Sequence, residues 1–209
     1  MNAFVRALAV LVVLGAVVGG LLVYSVARRG LSARSEPSRI EEGLARGMRR
    51  FATPRAVRSM TNPVEATPAV LQEARAHFAD HCAVCHANNG SGDTAIGRSL
   101  YPRAPDMRGE ATQALTDGEL FSIIENGIRL TGMPAWGTGT PEGEHDSWAL
   151  VHFVRRLSSL TEDEIQEMES LNPKSAEEWR ADDEARRFLA GEEVEPRSQA
   201  PHKHEEMPR

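Results

Sequence analysis

Cys82-Ala83-Val84-Cys85-His86 is the stretch on which the reading of this 209-residue chain turns. The chain's only two cysteines lie in it, three positions apart and followed directly by a histidine. A disulfide between such close neighbours would close almost no loop and so constrain the chain little. Two thiolates also fall short of a four-thiolate zinc site. A C-x-x-C-H run reads instead as attachment of a haem: each thiol adds to one vinyl group while the adjacent imidazole reaches the iron.

The composition agrees with an interior filled by something other than side chains. Hydrophobic residues make up 41% of the chain and aromatics only 5%, a thin supply of large core groups. The net charge of −6 is partitioned: Arg6 carries +1, residues 27–60 carry +6, residues 61–160 carry −5 and residues 161–209 carry −8. The one basic stretch adjoins an apolar segment, so nucleic acid is excluded as a partner.

Upstream of the motif, Ala7 to Ala27 are twenty-one consecutive uncharged residues, enough at about 1.5 Å per residue to cross a hydrocarbon core of about 30 Å. A cleaved signal peptide is the rival, with Ser25 and Ala27 as a small-x-small site, but the run exceeds the roughly 7–15 residues of a signal h-region. An uncleaved single-pass anchor is therefore expected. Arg28, Arg29, Arg34 and Arg39 lie just after the span while only Arg6 precedes it, which by the positive-inside rule puts the C-terminal side in the cytoplasm. Residues 40–51 place Ile40, Leu44, Met48 and Phe51 on one helical face, an amphipathic helix near the bilayer that either lies on lipid headgroups or packs on the haem-bearing domain. Pro54, Pro63 and Pro68 then mark a stiff linker.

Thr67 and Pro68 supply an N-cap and a first helical position, and Leu71, Ala74, Phe78 and Cys82 share a face, so this helix delivers the cysteines. A glycine- and proline-punctuated loop comes next, from Asn88 to Met107. Thr116 and Glu119 form a capping box stapled by Leu115 and Leu120, and that helix ends near Asn126-Gly127. Another helix runs from Trp148 to about Ser158, opened by Ser147 or Asp146. Thr161 with Glu164 and Ser175 with Glu178 repeat the box. The C-terminal end is rich in Pro, Glu and His and reads as disordered. No strand signal appears.

An electron-carrying haem iron needs a ligand on its second face, and a thioether there raises the reduction potential. Met133, in Gly132-Met133-Pro134, is the candidate: Pro134 holds Met133 extended, and flanking glycines let the backbone approach a flat ring closely. Met107, Met60 and Met168 are weaker candidates, being respectively in the loop soon after His86, in the linker and in the tail.

With both halves in view, residues 66–160 resemble a monohaem class I cytochrome c: an N-terminal helix, CxxCH, a Pro-containing loop, a helix, a Met-bearing loop and a C-terminal helix. The resemblance implies a mainly α domain around one haem c bound through two thioethers, with His86 and Met133 as axial ligands. It implies that the N- and C-terminal helices cross, putting Phe78 against Trp148, Val151 or Phe153, and that the Pro105 loop packs on His86, its carbonyl toward the second imidazole nitrogen. Tyr101, Arg98, Arg103 and Trp136 are candidate propionate partners. His77, His81, His145 and His152 read as surface or packing residues.

The expected organisation is an anchor (1–29), an amphipathic helix and linker (30–65), the cytochrome domain (66–160), a helical acidic extension (161–192) and a disordered tail (193–209). The expected function is one-electron transfer between protein redox partners at the bilayer, with no small-molecule substrate and no catalysis. Attachment of haem c on the outer side, in the bacterial families the motif resembles, places the domain in the periplasm, on the far side of the cytoplasmic membrane, against the arginine count. The alternatives are a permanent haem subunit of a membrane oxidase, reductase or dehydrogenase; a sensor in which NO or CO displaces Met133; and a copper, nickel or zinc binder using His202, His204, Glu205 and Glu206.

Overall fold

A computed structural model describes residues 2–30 and 32–191. Among the described residues every regular element is helical: α1 (Ala3–Arg29), α2 (Arg39–Ala52), α3 (Arg55–Arg58), α4 (Pro68–His77), α5 (Ala83–His86), α6 (Glu110–Gln113), α7 (Asp117–Asn126), α8 (Pro141–Arg156), α9 (Glu162–Glu169) and α10 (Ala176–Leu189). The chain divides after Asn172 into two compact units. The 193–209 tail, with His202 and His204, lies outside the described residues.

The caps act as the sequence predicts. Thr67 accepts a hydrogen bond from the Val70 N–H at the start of α4, and full capping boxes open α7 and α9. Each satisfies backbone donors that a helix start leaves unpaired. The expected start of α8 at Ser147 or Asp146 is corrected: the helix begins at Pro141, where Thr140 accepts from the Gly143 N–H. Glu142, Glu144 and Asp146 fill this opening stretch, so apolar periodicity marks only the buried half of the helix.

The core of the first unit forms where α4 meets α8. Ala74, Phe78, Val151, Phe153 and Leu157 are buried there, with the Phe78 and Phe153 rings tilted at 5.1 Å between centroids. Burying side chains of this size stabilises a fold by roughly 1.5–3 kcal/mol each. Helix α7 closes a second side through Leu120 and Ile124, and Phe121 stacks on Trp148 at 4.1 Å. Arg155 ties the start of α7 to α8, donating to the Gln113 and Leu115 carbonyls and to Asp117.

Two boundaries shift. Helix α9 belongs to the first unit's core: Met168 is fully buried, Arg75 pairs with Glu167 at 3.0 Å and Arg156 with Glu164 at 3.0 Å. Of the acidic extension expected from residue 161, only the part from Pro173 onward belongs to the second unit. There α10 is capped by Ser175 and Glu178, and Lys174 lies over the Trp179 ring. The linker is likewise packed on the domain. Asn62 donates to the Trp148 carbonyl, the Val64 carbonyl meets the His152 ring at 2.7 Å, and α3 lies against α7.

That last contact is made through Gly118, where a Cβ would fall 1.9 Å from the Val57 carbonyl oxygen. Backbone cannot yield as a flexible side chain can, so Gly118→Ala should destabilise the protein by about 1–3 kcal/mol, read as a fall of several degrees in the thermal midpoint. An unchanged midpoint would mean that α3 is not held against α7.

Candidate haem site

The cysteines sit on a helix whose pitch changes beneath them. After α4 the chain makes one π-turn, Phe78–Cys82, and returns to α-helix at Ala83, a local widening common at functional sites. Cys82 packs against the core while Val84 points outward. Neither cysteine is in a disulfide. Burial first, and then its neighbour Cys85, pushes the Cys82 thiol up to about 12; burial also raises Cys85. Redox-active C-x-x-C pairs have the opposite character, a depressed pKa that exposes thiolate. Here both shifts run the other way, most strongly at the more deeply buried Cys82.

His86 ends α5, and Ala87 comes next with φ +59°, a conformation uncommon outside glycine. The chain then folds back beneath the motif. Gly92 N–H donates to the His86 carbonyl at 2.8 Å, Thr94 Oγ1 donates to the Val84 carbonyl at 2.9 Å, and Met107 N–H donates to the Gly90 carbonyl at 2.8 Å. Gly92, at φ +72°, lies so near the Ala104 carbonyl that a Cβ would be 2.3 Å from its oxygen. This lacing brings Pro105 beside the histidine. Burial lowers the His86 pKa, and the Pro105 carbonyl opposes that shift. Nδ1 is nonetheless buried without a hydrogen bond of ordinary geometry. The carbonyl approaches the ring without completing the bond.

Met133 sits on a loop pinned to the end of α7. Trp136 N–H donates to the Ile124 carbonyl and Gly137 N–H to that of Glu125, at 3.0 and 3.1 Å. Ile128 N–H donates to the Met133 carbonyl at 3.1 Å, and Met133 N–H to Thr131 Oγ1 at 3.1 Å. Gly127, at φ +63°, leaves room for the returning strand: a Cβ there would be 2.6 Å from the Met133 oxygen. Gly132 packs equally tightly on Leu100, so the two loops meet. Met133 is half-buried. Met107 packs against the core, and Met168 lies inside it.

The other candidates have partners within the protein. Arg98 pairs with Asp93, Arg103 with Glu36 at 3.3 Å, and Tyr101 donates to Glu41. Trp136 packs on the core and meets the His81 ring edge-on at 5.4 Å. His81 is half-exposed and contacts His77 at 4.9 Å. The Glu36 and Glu41 pairings join residues some sixty positions apart, and no local pattern announces them.

The residues fit a haem. Two unpaired thiols one helical turn apart precede a half-buried imidazole whose Nδ1 is turned inward to the Pro105 carbonyl. Within residues 66–160 the large apolar side chains left exposed are Val84, Ile96 and Leu130, in the motif, its loop and the Met133 loop. Three or more His, Cys, Asp or Glu side chains grouped to hold a bare metal ion are not found among the described residues.

Residues 69–154 match a family model described as cytochrome C oxidase, cbb3-type, subunit III. No curated protein matches the chain. The matched segment is a c-type cytochrome domain. A domain of this type implies covalently bound haem c and haem-based electron transfer.

One titration near the site is predictable. Burial is the main cause holding His77 below the ordinary histidine range; His81 adds to it, while Asp146 and Asp80 oppose. A histidine depressed in the folded state binds fewer protons than in the unfolded chain, so its contribution is intact above the unfolded value, about 6.5, and is lost as pH falls through it. His77→Gln should flatten the decline of the thermal midpoint between about pH 7 and pH 5. An identical decline in the variant would assign that pH dependence to other groups.

Proposed function

We propose that this chain is a membrane-anchored carrier of single electrons that uses one haem. Cys82 and Cys85 would hold the haem through thioethers, with His86 and Met133 as the axial pair. A bound haem supplies a ferric–ferrous couple. The observation that carries this reading is the half-buried His86 imidazole beside two unpaired thiols, its buried Nδ1 turned to the Pro105 carbonyl, which leaves Nε2 as the nitrogen for iron.

The protein's contribution is positional. The laced loop from Ala87 to Met107 fixes the His86 ring from behind, and closure of the hydrogen bond from its Nδ1 to the Pro105 carbonyl would make the imidazole a better donor. The pinned loop from Gly127 to Gly137 limits the motion of Met133, and a Met thioether favours the reduced state. With both axial positions filled no site is left for substrate, which supports a carrier over a catalyst.

Helix α1 supports the tether: it is 27 residues long, and none of its described side chains is buried by the rest of the chain. In this reading the domain lies on the periplasmic face of a bacterial cytoplasmic membrane. A second reading, a permanent haem subunit of a membrane oxidase, draws support from the description of the matching family model.

Met133→Ala should abolish the weak far-red band of the ferric protein and make the ferrous protein bind CO, both read by absorption spectroscopy. Retention of the band and continued indifference to CO would assign the sixth ligand elsewhere. Cys82→Ser with Cys85→Ser should leave no haem stain on a denaturing gel. Purification in mild detergent separates the two readings: stoichiometric co-purification of oxidase subunits marks a permanent subunit, and isolation as a single chain marks a free carrier.

A further inference from the structure

Helix α2 has two unlike sides, and only one of them is occupied. Its acidic edge is fastened to the cytochrome domain: Glu41 accepts from Tyr101, and Glu36, just upstream, pairs with Arg103. Arg49 is half-buried, its pKa lowered chiefly by burial, with Glu119 of α7 opposing. At the C-terminal end of α2 the chain passes into α3, which packs on α7. The other side carries Ile40, Leu44, Met48 and Phe51 at 84%, 63%, 63% and 93% exposure. A helix held in place by its polar edge while its apolar stripe remains free lacks a partner.

We propose that this stripe is seated in the interface of an anionic lipid bilayer, so that α2 is a plate between membrane and domain. The inference rests on the reading of α1 as a membrane anchor. Nine residues separate α1 from α2, at most about 30 Å of extended chain, so α2 cannot leave the bilayer's neighbourhood. By helical spacing Arg50 and, further round, Arg39 lie beyond the edge of the stripe away from Glu41, where their stems can lie along the acyl boundary and their guanidinium groups reach lipid phosphates; Arg46 is on the opposite face, paired with Glu42. Because α2 is fastened at Glu36 and Glu41 and continues into the packed α3, its seating also fixes which side of the domain faces the membrane: the side bearing Tyr101 and Arg103.

Depth measurement by spin-label accessibility tests this in the full-length haem-loaded protein, whose native cysteines are thioether-bound and take no label. Single nitroxides are placed through Leu44→Cys, Phe51→Cys, Ala45→Cys (off the stripe) and Val13→Cys (in α1), in nanodiscs of phosphatidylcholine and phosphatidylglycerol. The expected result is that positions 44 and 51 are open to oxygen and shielded from a water-soluble nickel chelate, while position 45 is open to the chelate. Exposure of 44 and 51 to the chelate, with 13 deep in the bilayer, would overturn the proposal and leave the anchor intact. Shielding of 44 and 51 from both reagents would put a protein surface on the stripe and also overturn it. Exposure of position 13 to the chelate would remove the anchor reading and this one together.

Discussion

The packing of Phe78 against Phe153 is the contact on which the site depends. It lies where α4 meets α8, and those two helices frame everything between them: the cysteine motif, the laced loop, α7 and the Met133 loop. Aromatic residues are scarce in this chain, and three of them, Phe78, Trp148 and Phe153, are buried together. Once that crossing is made, the loops need little hydrophobic material of their own. They are held by backbone hydrogen bonds and by glycines at points of close approach.

Charge distribution after α1 argues for one topology and the haem motif for the other. Of the arginines in that count, Arg28 donates to Tyr24 within α1 and keeps its charge; Arg46, paired with Glu42, and Arg49, half-buried near Glu119, belong to α2 and lie outside it.

Local chemistry is legible in the sequence because it acts within one turn. Thr–Pro at a helix start, Thr-x-x-Glu boxes and Gly at a helix end are of this kind, and the structure has them where the sequence puts them. Thr140-Pro141 is the same signal, but a glycine and acidic side chains come after it, so apolar spacing alone does not reveal the helix it opens. The linker and α9 look separable from the domain for a related reason. Their contacts, Val57 on Gly118, Val64 on His152 and Met168 in the core, involve single residues far apart in sequence and leave no periodic trace. The π-turn beneath Cys82 has no sequence signal.

The sequence by itself determined the helical class, the thiol–thiol–imidazole motif and a short choice of methionines, since each depends only on residue type and near-neighbour spacing. Tertiary structure decided the rest. It drew Met107 and Met168 toward the core and left Met133 on a loop rim, it brought the Pro105 carbonyl to the half-buried His86 ring, and it gave Tyr101 and Arg103 to the acidic edge of α2. Those outcomes depend on which distant surfaces meet when the apolar faces of α4 and α8 close, and no window of sequence contains both sides of such a contact.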